Sequence, residues 1–467
     1  MERALAEALR AAAYDRDSIA ELTPAGSGLA PGQAYAALRF RSEGATRLGL
    51  LVRLFLAYEE LEGRDVAAAV APAGVDELVS AGVLRRRGSS RLRSAVRIGT
   101  FRDALVVSDP NRWRYPIPRN HVLYPGPVSE QLASLTIRRN VGRVLDVGCG
   151  SGGQSFAAAA HAGRVVATDV NVRALRLARL GAVLNGIENV EWRCGDLYAP
   201  VGDAKFDLIV SNPPFVVSST DLVAYRDGLR DRDELSREVV RGAGARLAPG
   251  GYAQVLGAWV ADPGEHWSAT PRRWLQGLDC DAIILRVVSE DAVSYAVRWS
   301  AGLVPAARAM DEAERWLDAY RRAGIDEIVT GAIVLHRGAG PRWTHVDELY
   351  GVRGDAGEQL EQMVAGNDLL ASADGTRLAE LSLALAPGVR IVRRFAPGGE
   401  LEQARLVRSE GIPFPGRVPD EIAELLLRLD TPRVLGEEAR ERGVELEPFL
   451  PPLRELVARG FLVADRP

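Results

Sequence analysis

Lysine is almost missing from these 467 residues: Lys205 is the only one, and arginine supplies the rest of the 58 basic side chains. With so much Ala and Gly, that choice reads as the codon bias of a GC-rich genome. Cysteine is nearly as scarce. Cys149, Cys194 and Cys280 lie far apart without CxxC spacing, which excludes a disulfide framework and a thiolate zinc site and predicts a reducing cytoplasm. The five histidines, His121, His161, His266, His336 and His345, lack ligand spacing as well, so no metal is expected. Long apolar runs are missing too. The best, Leu48 to Tyr58, is interrupted by Arg53 and too short for a bilayer, and Met1 to Leu9 lacks the apolar centre of a signal peptide, so a soluble, unexported protein without membrane contact is expected. Nor is there a strong excess of either charge. A net charge of −4 gives whole-molecule electrostatics no pull towards nucleic acid and leaves that role to local patches.

What is present is enough length for two or three domains, with 47% apolar and 26% charged residues, as in globular proteins. Residues 1–110 read as a small α+β module. Helices are expected around Leu48 to Glu62, Asp65 to Val70 and Val75 to Ala81, followed by a strand, Gly-Ser turn, strand pattern from Val83 through Arg97 to Ser108, which together suggest a winged helix. The stretch Arg85 to Arg97 holds six arginines and no acid. It suits a phosphate backbone, and equally a hairpin edge kept soluble by charge. In residues 339–467 helices are expected at Pro419 to Leu429, Leu435 to Arg442 and Pro448 to Arg459, running into Phe461-Leu-Val463, so that 419–465 repeats the winged-helix theme. The two ends rhyme: Glu77-Leu-Val-Ser-Ala-Gly-Val-Leu84 against Glu455-Leu-Val-Ala-Arg-Gly-Phe-Leu462. Any helix closed by Gly before a strand has that look. Residues 340–415 carry no readable function.

Residues 111–338 alternate apolar runs and helical periods, the mark of an α/β, Rossmann-like sheet covered on both faces. Seven strands are expected: Arg143 to Val147, Val165 to Asp169, Val190 to Arg193, Phe206 to Ser211, Gly251 to Leu256, Ala282 to Val287 and Glu327 to His336. The first ends in Asp146-Val-Gly-Cys-Gly-Ser-Gly-Gly153. Gly148, Gly150 and Gly152 let backbone amides approach a ligand closely, as in dinucleotide sites, but Asp146 suits a ligand with an ammonium and a sulfonium better than a pyrophosphate. Asp169, closing the second strand, can hold both hydroxyls of a ribose, and Asp196 can accept from an adenine amine with Leu197 flanking the ring. The fourth strand ends in Asn212-Pro213-Pro214-Phe215, at the sheet edge where open α/β folds place their ligands. The Asn212 side-chain oxygen and the Pro213 carbonyl can accept from a planar amide or amine and restore its nitrogen lone pair. Pro214 stiffens the loop, and Phe215 offers a stacking face.

With both motifs, residues about 115 to 260 resemble the class I S-adenosylmethionine-dependent methyltransferases, in particular the small-domain group that methylates glutamine side chains or base amines. The resemblance implies S-adenosylmethionine as cofactor, with Asn212 between cofactor and acceptor. Tyr124-Pro-Gly-Pro-Val-Ser-Glu130 resembles that group's lid over the cofactor, and Tyr225-Arg-Asp-Gly-Leu229 its Asp-Gly-Leu segment, which puts Tyr124 and Tyr225 on the substrate side. It implies a macromolecular acceptor, protein or RNA. Two other functions fit the residues: a tailoring methyltransferase of a small metabolite, and a winged-helix binding protein that only senses the cofactor.

Overall fold

In the computed structural model, which describes residues 1–22, 31–44, 46–110, 117–217, 233–301, 304–372, 377–395, 397 and 401–464, the central sheet has eight strands. They are β1 (Val141–Val147), β2 (Ala162–Asp169), β3 (Val190–Cys194), β4 (Phe206–Ser211), β5 (Leu247–Ala261), β6 (Asp281–Asp291), β7 (Glu327–His336) and β8 (Thr344–Glu348). The spatial order is β8-β6-β7-β5-β4-β1-β2-β3. β1 to β5 are parallel, and β7 is antiparallel to both β5 and β6. The seven expected strands are all present, so the count of seven is corrected by β8, which pairs parallel to β6. β8 (Thr-His-Val-Asp-Glu) was illegible because it is short, polar and half-buried at an edge, where no apolar run is needed. The sheet therefore runs past residue 338.

The core strands form where Val, Ile and Leu are buried on both faces, as at Val144, Leu145, Val147, Ile209 and Val210. Helices α1 (Pro127–Leu135), α2 (Gly153–Ala159), α3 (Val172–Asn185), α4 (Glu234–Arg246) and α5 (Ala269–Leu275) belong to this domain. α3 starts where Asn171 accepts the Arg173 amide at 3.0 Å and stops at Gly186 in the left-handed conformation. The chain reverses its direction of growth at β1: β2 and β3 lie to one side, β4 to the other. Such a switch point opens a crevice at the carboxyl ends of β1 and β4, and Val147 of β1 lies opposite Ser211 of β4. The Gly-rich loop and the Asn212 loop thus emerge side by side.

Between β6 and β7, Asp291 already faces Glu327, a register that a tight turn could close. Two helices intervene instead, α6 (Ala292–Ser300) and α7 (Ala309–Ala323). Asp291 caps α6 by accepting the Val293 and Ser294 amides at 3.0 and 2.9 Å.

In the N-terminal module, helix Arg47–Phe55 is followed by strand Leu61–Glu62, helices Gly63–Val70 and Val75–Ser80, and the hairpin Leu84–Arg87 and Arg91–Ser94. Strand 91–94 is central, antiparallel to both others. The expected continuous pattern to Ser108 divides here. Arg97–Phe101 and Ala104–Ser108 form a separate hairpin, tied to α3 through Asn185, whose Oδ1 accepts the Leu105 amide at 2.8 Å. Leu5, Leu9 and Phe55 share one buried cluster with Leu177, Leu180 and Leu184 of α3, so module and catalytic domain pack as one body.

The C-terminal residues repeat the arrangement with one change. Helix Asp420–Leu426, strand Arg433–Val434, helices Leu435–Glu441 and Leu450–Ala458 and strand Leu462–Ala464 follow in the same order, but the central strand, Ser382–Leu385, comes from upstream. The two rhyming segments adopt the same turn. Gly82 and Gly460 have φ of 72° and 69°, and Val83 and Phe461 donate to Leu78 and Leu456 at 2.9 and 2.8 Å. Among the described residues no helix is long and apolar enough to cross a membrane.

Candidate active site

A cavity of about 600 Å³ opens at the switch point. Asp146, Gly148, Gly150, Asp169, Asp196, Leu197, Asn212, Pro213, Pro214, Phe215 and Tyr124 all line it, although they come from five separate segments of the chain. Gly152, expected among the cofactor contacts, does not. Its φ of 87° caps α2, and a Cβ there would sit 2.9 Å from Phe156 and 3.1 Å from Ala178, so it serves packing. Tyr225 lies outside the described residues.

At Gly148 and Gly150, with φ of 72° and 52°, an added Cβ would meet nothing within 4 Å, because it would point into the cavity. Asp146 is 1% exposed, and its carboxylate accepts from Ser155 Oγ at 2.6 Å. Burial, against that hydrogen bond and aided by nearby Asp169, pushes its carboxyl up to about 7. Asp169 accepts the amides of Gly150 and Asn171, each at 2.8 Å, and burial raises it as well. Those bonds fix its orientation while each oxygen keeps a lone pair for a hydroxyl donor. Thr168 donates to the Leu197 carbonyl at 3.1 Å and anchors the Asp196-Leu197 turn, where Leu197 holds the unusual φ of 42°. Burial pushes the Cys149 thiol well up, so it stays protonated and is no nucleophile.

Asn212 shows an interaction that sequence reasoning missed. Its Nδ2 donates to Ser129 Oγ at 3.1 Å, and Gln154 donates to the Ser129 carbonyl at 2.7 Å. Ser129 stands in the first turn of α1, whose C-terminal end is held by Gln254: the buried Gln254 amide takes the Ile137 N–H at 2.8 Å and donates to the Leu135 carbonyl. With its NH2 engaged, the Asn212 side chain has Oδ1 left as an acceptor. Tyr124, which also lines the cavity, is anchored outside it; its hydroxyl bonds the Thr100 carbonyl, and Arg97 lies 4.2 Å over its ring.

The other missed element is the helical pair. Trp299 of α6 lines the cavity and meets Phe215 edge-on, ring centres 6.5 Å apart. Tyr295 of α6 accepts the Val217 amide at 3.1 Å, and Tyr320 of α7 donates to the Val217 carbonyl. Val217, two residues after Phe215, is therefore held by both α6 and α7. No motif announces these residues; the sequence signal is only the length of chain between two strands that pair directly.

Residues 128–258 match the family described as Methyltransferase small domain. This part of the chain is a class I methyltransferase domain. Residues 11–95 match a domain of unknown function, DUF7059. Ribosomal RNA small subunit methyltransferase C of Salmonella newport (strain SL254) is 33% identical over 130 residues, which cover 27% of this chain and 34% of that protein. Release factor glutamine methyltransferase of Xylella fastidiosa (strain 9a5c) is 32% identical over 157 residues, 29% of this chain and 56% of that protein. The chain thus spans between about a third and about half the length of these curated relatives. Among solved structures, the YcgJ protein of Bacillus subtilis aligns with TM-score 0.31 and 17% identity, covering 46% of this chain and 98% of that one.

The cofactor of such methyltransferase domains is S-adenosylmethionine, and the cavity fits it. The open cradle at Gly148 and Gly150 would be filled by any side chain, and among the described residues no cationic side chain offsets the burial of the Asp146 carboxyl, so a ligand ammonium would complement it. Asp169 and Asp196 line the same cavity with carboxylate oxygens, groups of a kind that hydroxyls and an amine could bond. A second group of potential ligand atoms, Asp281, His336 and Asp368, sits at the opposite ends of the strands, and Arg342 already donates to Asp281 at 3.0 Å.

Proposed function

We propose that this chain transfers the methyl group of S-adenosylmethionine to the nitrogen of a planar amide or aromatic amine on a macromolecule, a protein glutamine or a nucleic-acid base. The observation that carries the reading is the Asn212 carboxamide, pinned through Nδ2 to Ser129 with Oδ1 left to accept, at the rim of a cavity lined by Asp146 and Asp169. The cofactor, when bound, supplies a methyl group activated by positive sulfur. Asn212 Oδ1 and the Pro213 carbonyl accept the N–H groups of the acceptor and draw its lone pair out of conjugation. Pro213 and Pro214 hold both acceptors in place, which reduces the ordering needed on binding. Phe215 and Trp299 form an aromatic corner against which a flat group packs. Methylation makes the nitrogen acidic, so its proton can leave to water without a strong base.

The three-stranded modules at both ends are read as winged helices, the second with its central strand permuted. A tailoring methyltransferase of a small metabolite is the other reading. It is favoured by one feature, the α6–α7 pair over the acceptor side, which could enclose a free ligand as well as grip a protruding base or side chain.

The test is transfer of labelled methyl from S-adenosylmethionine into protein, RNA and small-molecule fractions of a cell extract. Asn212→Ala should lower turnover by about 100-fold or more while cofactor affinity holds. Full activity in Asn212→Ala overturns the assignment, and label confined to small molecules selects the second reading.

A further inference from the structure

The hairpin Leu84–Arg87 and Arg91–Ser94 carries an electrostatic conflict. Its register sets Arg85 opposite Arg93 and Arg87 opposite Arg91, so four arginines share one face. Like charges directly opposite each other across a strand pair repel. Two acids partly compensate. Glu60 lies 3.6 Å from Arg87 and 3.7 Å from Arg93, and Glu62 lies 2.9 Å from Arg91. Arg85 has no carboxylate within ion-pair distance among the described residues. The face therefore keeps an excess of about two positive charges.

That excess does not point into bulk solvent alone. Arg85 and Arg93 line a second cavity, of about 590 Å³, in the seam between the N-terminal module and the catalytic domain. The opposite wall carries Arg173, His121 and Asp109; the acid there is already bound by Arg173, with one of the two bonds at 3.1 Å. His121 borders both this cavity and the cofactor cavity, so the two adjoin.

We propose that this seam holds the phosphodiester backbone of a single-stranded nucleic acid, with Arg85 and Arg93 on a phosphate beside the nucleotide whose base enters the methyl-transfer site. The proposal rests on the nitrogen-methylation reading above. A charge-bearing subsite next to a site for a flat nitrogen acceptor matches nucleic acid by construction, since every base has a phosphate one sugar away. An acidic group next to a glutamine depends on the particular peptide. The strand must be single or opened, because the acceptor nitrogen reaches a recessed cavity only when its base leaves the stack.

The test is fluorescence anisotropy of the full chain with a labelled single-stranded RNA of mixed sequence, about 12 nucleotides long, titrated across salt concentrations. The wild type should bind. The double variant Arg85→Ala, Arg93→Ala should bind about tenfold more weakly or worse. Its slope of log affinity against log salt should also flatten by about 1.4, the share of two phosphate contacts on a single strand. Cofactor affinity should not move, which shows that the variant is folded. Arg85→Lys, Arg93→Lys should keep the slope. No RNA binding by the wild type at low salt, or an unchanged slope in the alanine variant, overturns the proposal. Asn212→Ala separates the two readings: Asn212 touches the base and not a phosphate, so this variant should lose methyl transfer and keep the wild-type salt slope of RNA binding, and methyl transfer surviving in it would refute the methylation reading while the slope measurement still judged the seam.

Discussion

Asp146→Asn tests the electrostatics of the cofactor site most directly. In the protein without cofactor, burial pushes Asp146 from the ordinary value of 3.8 to about 7. A folded-state value above the unfolded one means that the folded protein holds a proton the unfolded chain has released. The stability tied to that proton is fully present below about pH 4 and is lost as pH rises through about 7. A gap of about three pH units at about 1.4 kcal/mol each makes the loss about 4 kcal/mol. Asparagine keeps an acceptor for Ser155 and cannot ionise, so the variant should gain on the wild type over that interval and end more stable by up to about 4 kcal/mol at about pH 8. Chemical denaturation of both proteins from about pH 5 to about pH 8 gives the difference, in which the other carboxyls cancel. S-adenosylmethionine should reverse the ranking. Its ammonium favours the ionised carboxylate, so wild-type affinity, read by calorimetry, should rise about tenfold per pH unit up to about 7 and then level off, while the variant binds weakly and without pH dependence. A constant stability difference across the range, together with a flat wild-type affinity, would refute the reasoning.

Two further substitutions address the acceptor side. Ser129→Ala removes the oxygen that receives Asn212 Nδ2 and leaves the carboxamide free to turn; kcat should fall about tenfold with cofactor affinity unchanged, and wild-type kcat in this variant would remove Ser129 from the positioning role. Trp299→Ala opens the wall against Phe215; KM for the acceptor should rise about tenfold with little change in thermal stability if the ring contacts substrate, whereas a fall in melting temperature without a change in KM would make Trp299 a core residue only.

The site was legible in the sequence to the extent that chemistry and strand ends coincide. Asp146, Asp169 and Asn212 each close an apolar run, and in a parallel sheet the ends of such runs gather at one edge, so motif and topology carry the same message. Gly152 stands apart from the cavity lining because a glycine pattern does not separate a residue that clears space for a ligand from one that caps a helix; only the direction of its absent Cβ does. Ser129 lay within a segment read for its prolines, and its value depends on Asn212 lying across the crevice. Trp299 and β8 were invisible for opposite reasons, one an aromatic in an ordinary amphipathic helix, the other too polar to resemble a strand. The arginine run was read as a segment free of acids. Glu60, just before the strand that pairs with it, and Glu62, within that strand, offset about two of the four arginines on one face, a pairing that only strand register could supply.

The difference between the two end modules bears on which of them can serve a substrate. A three-stranded antiparallel sheet needs a central strand with both edges paired, and the chain can deliver that strand from either direction. At the N-terminus it arrives as the return arm of a hairpin, which projects the arginines to the seam beside the cofactor cavity. At the C-terminus residues 382–385 fill the slot from upstream, pairing antiparallel with both Arg433–Val434 and Leu462–Ala464. Its helices instead bury Leu453, Leu456 and Val457 in the same cluster as Leu132, Leu135 and Ile137 around α1. α1 also carries Ser129. The C-terminal module therefore shares the core behind the helix that orients Asn212, while the N-terminal hairpin borders the seam where the proposed strand would lie.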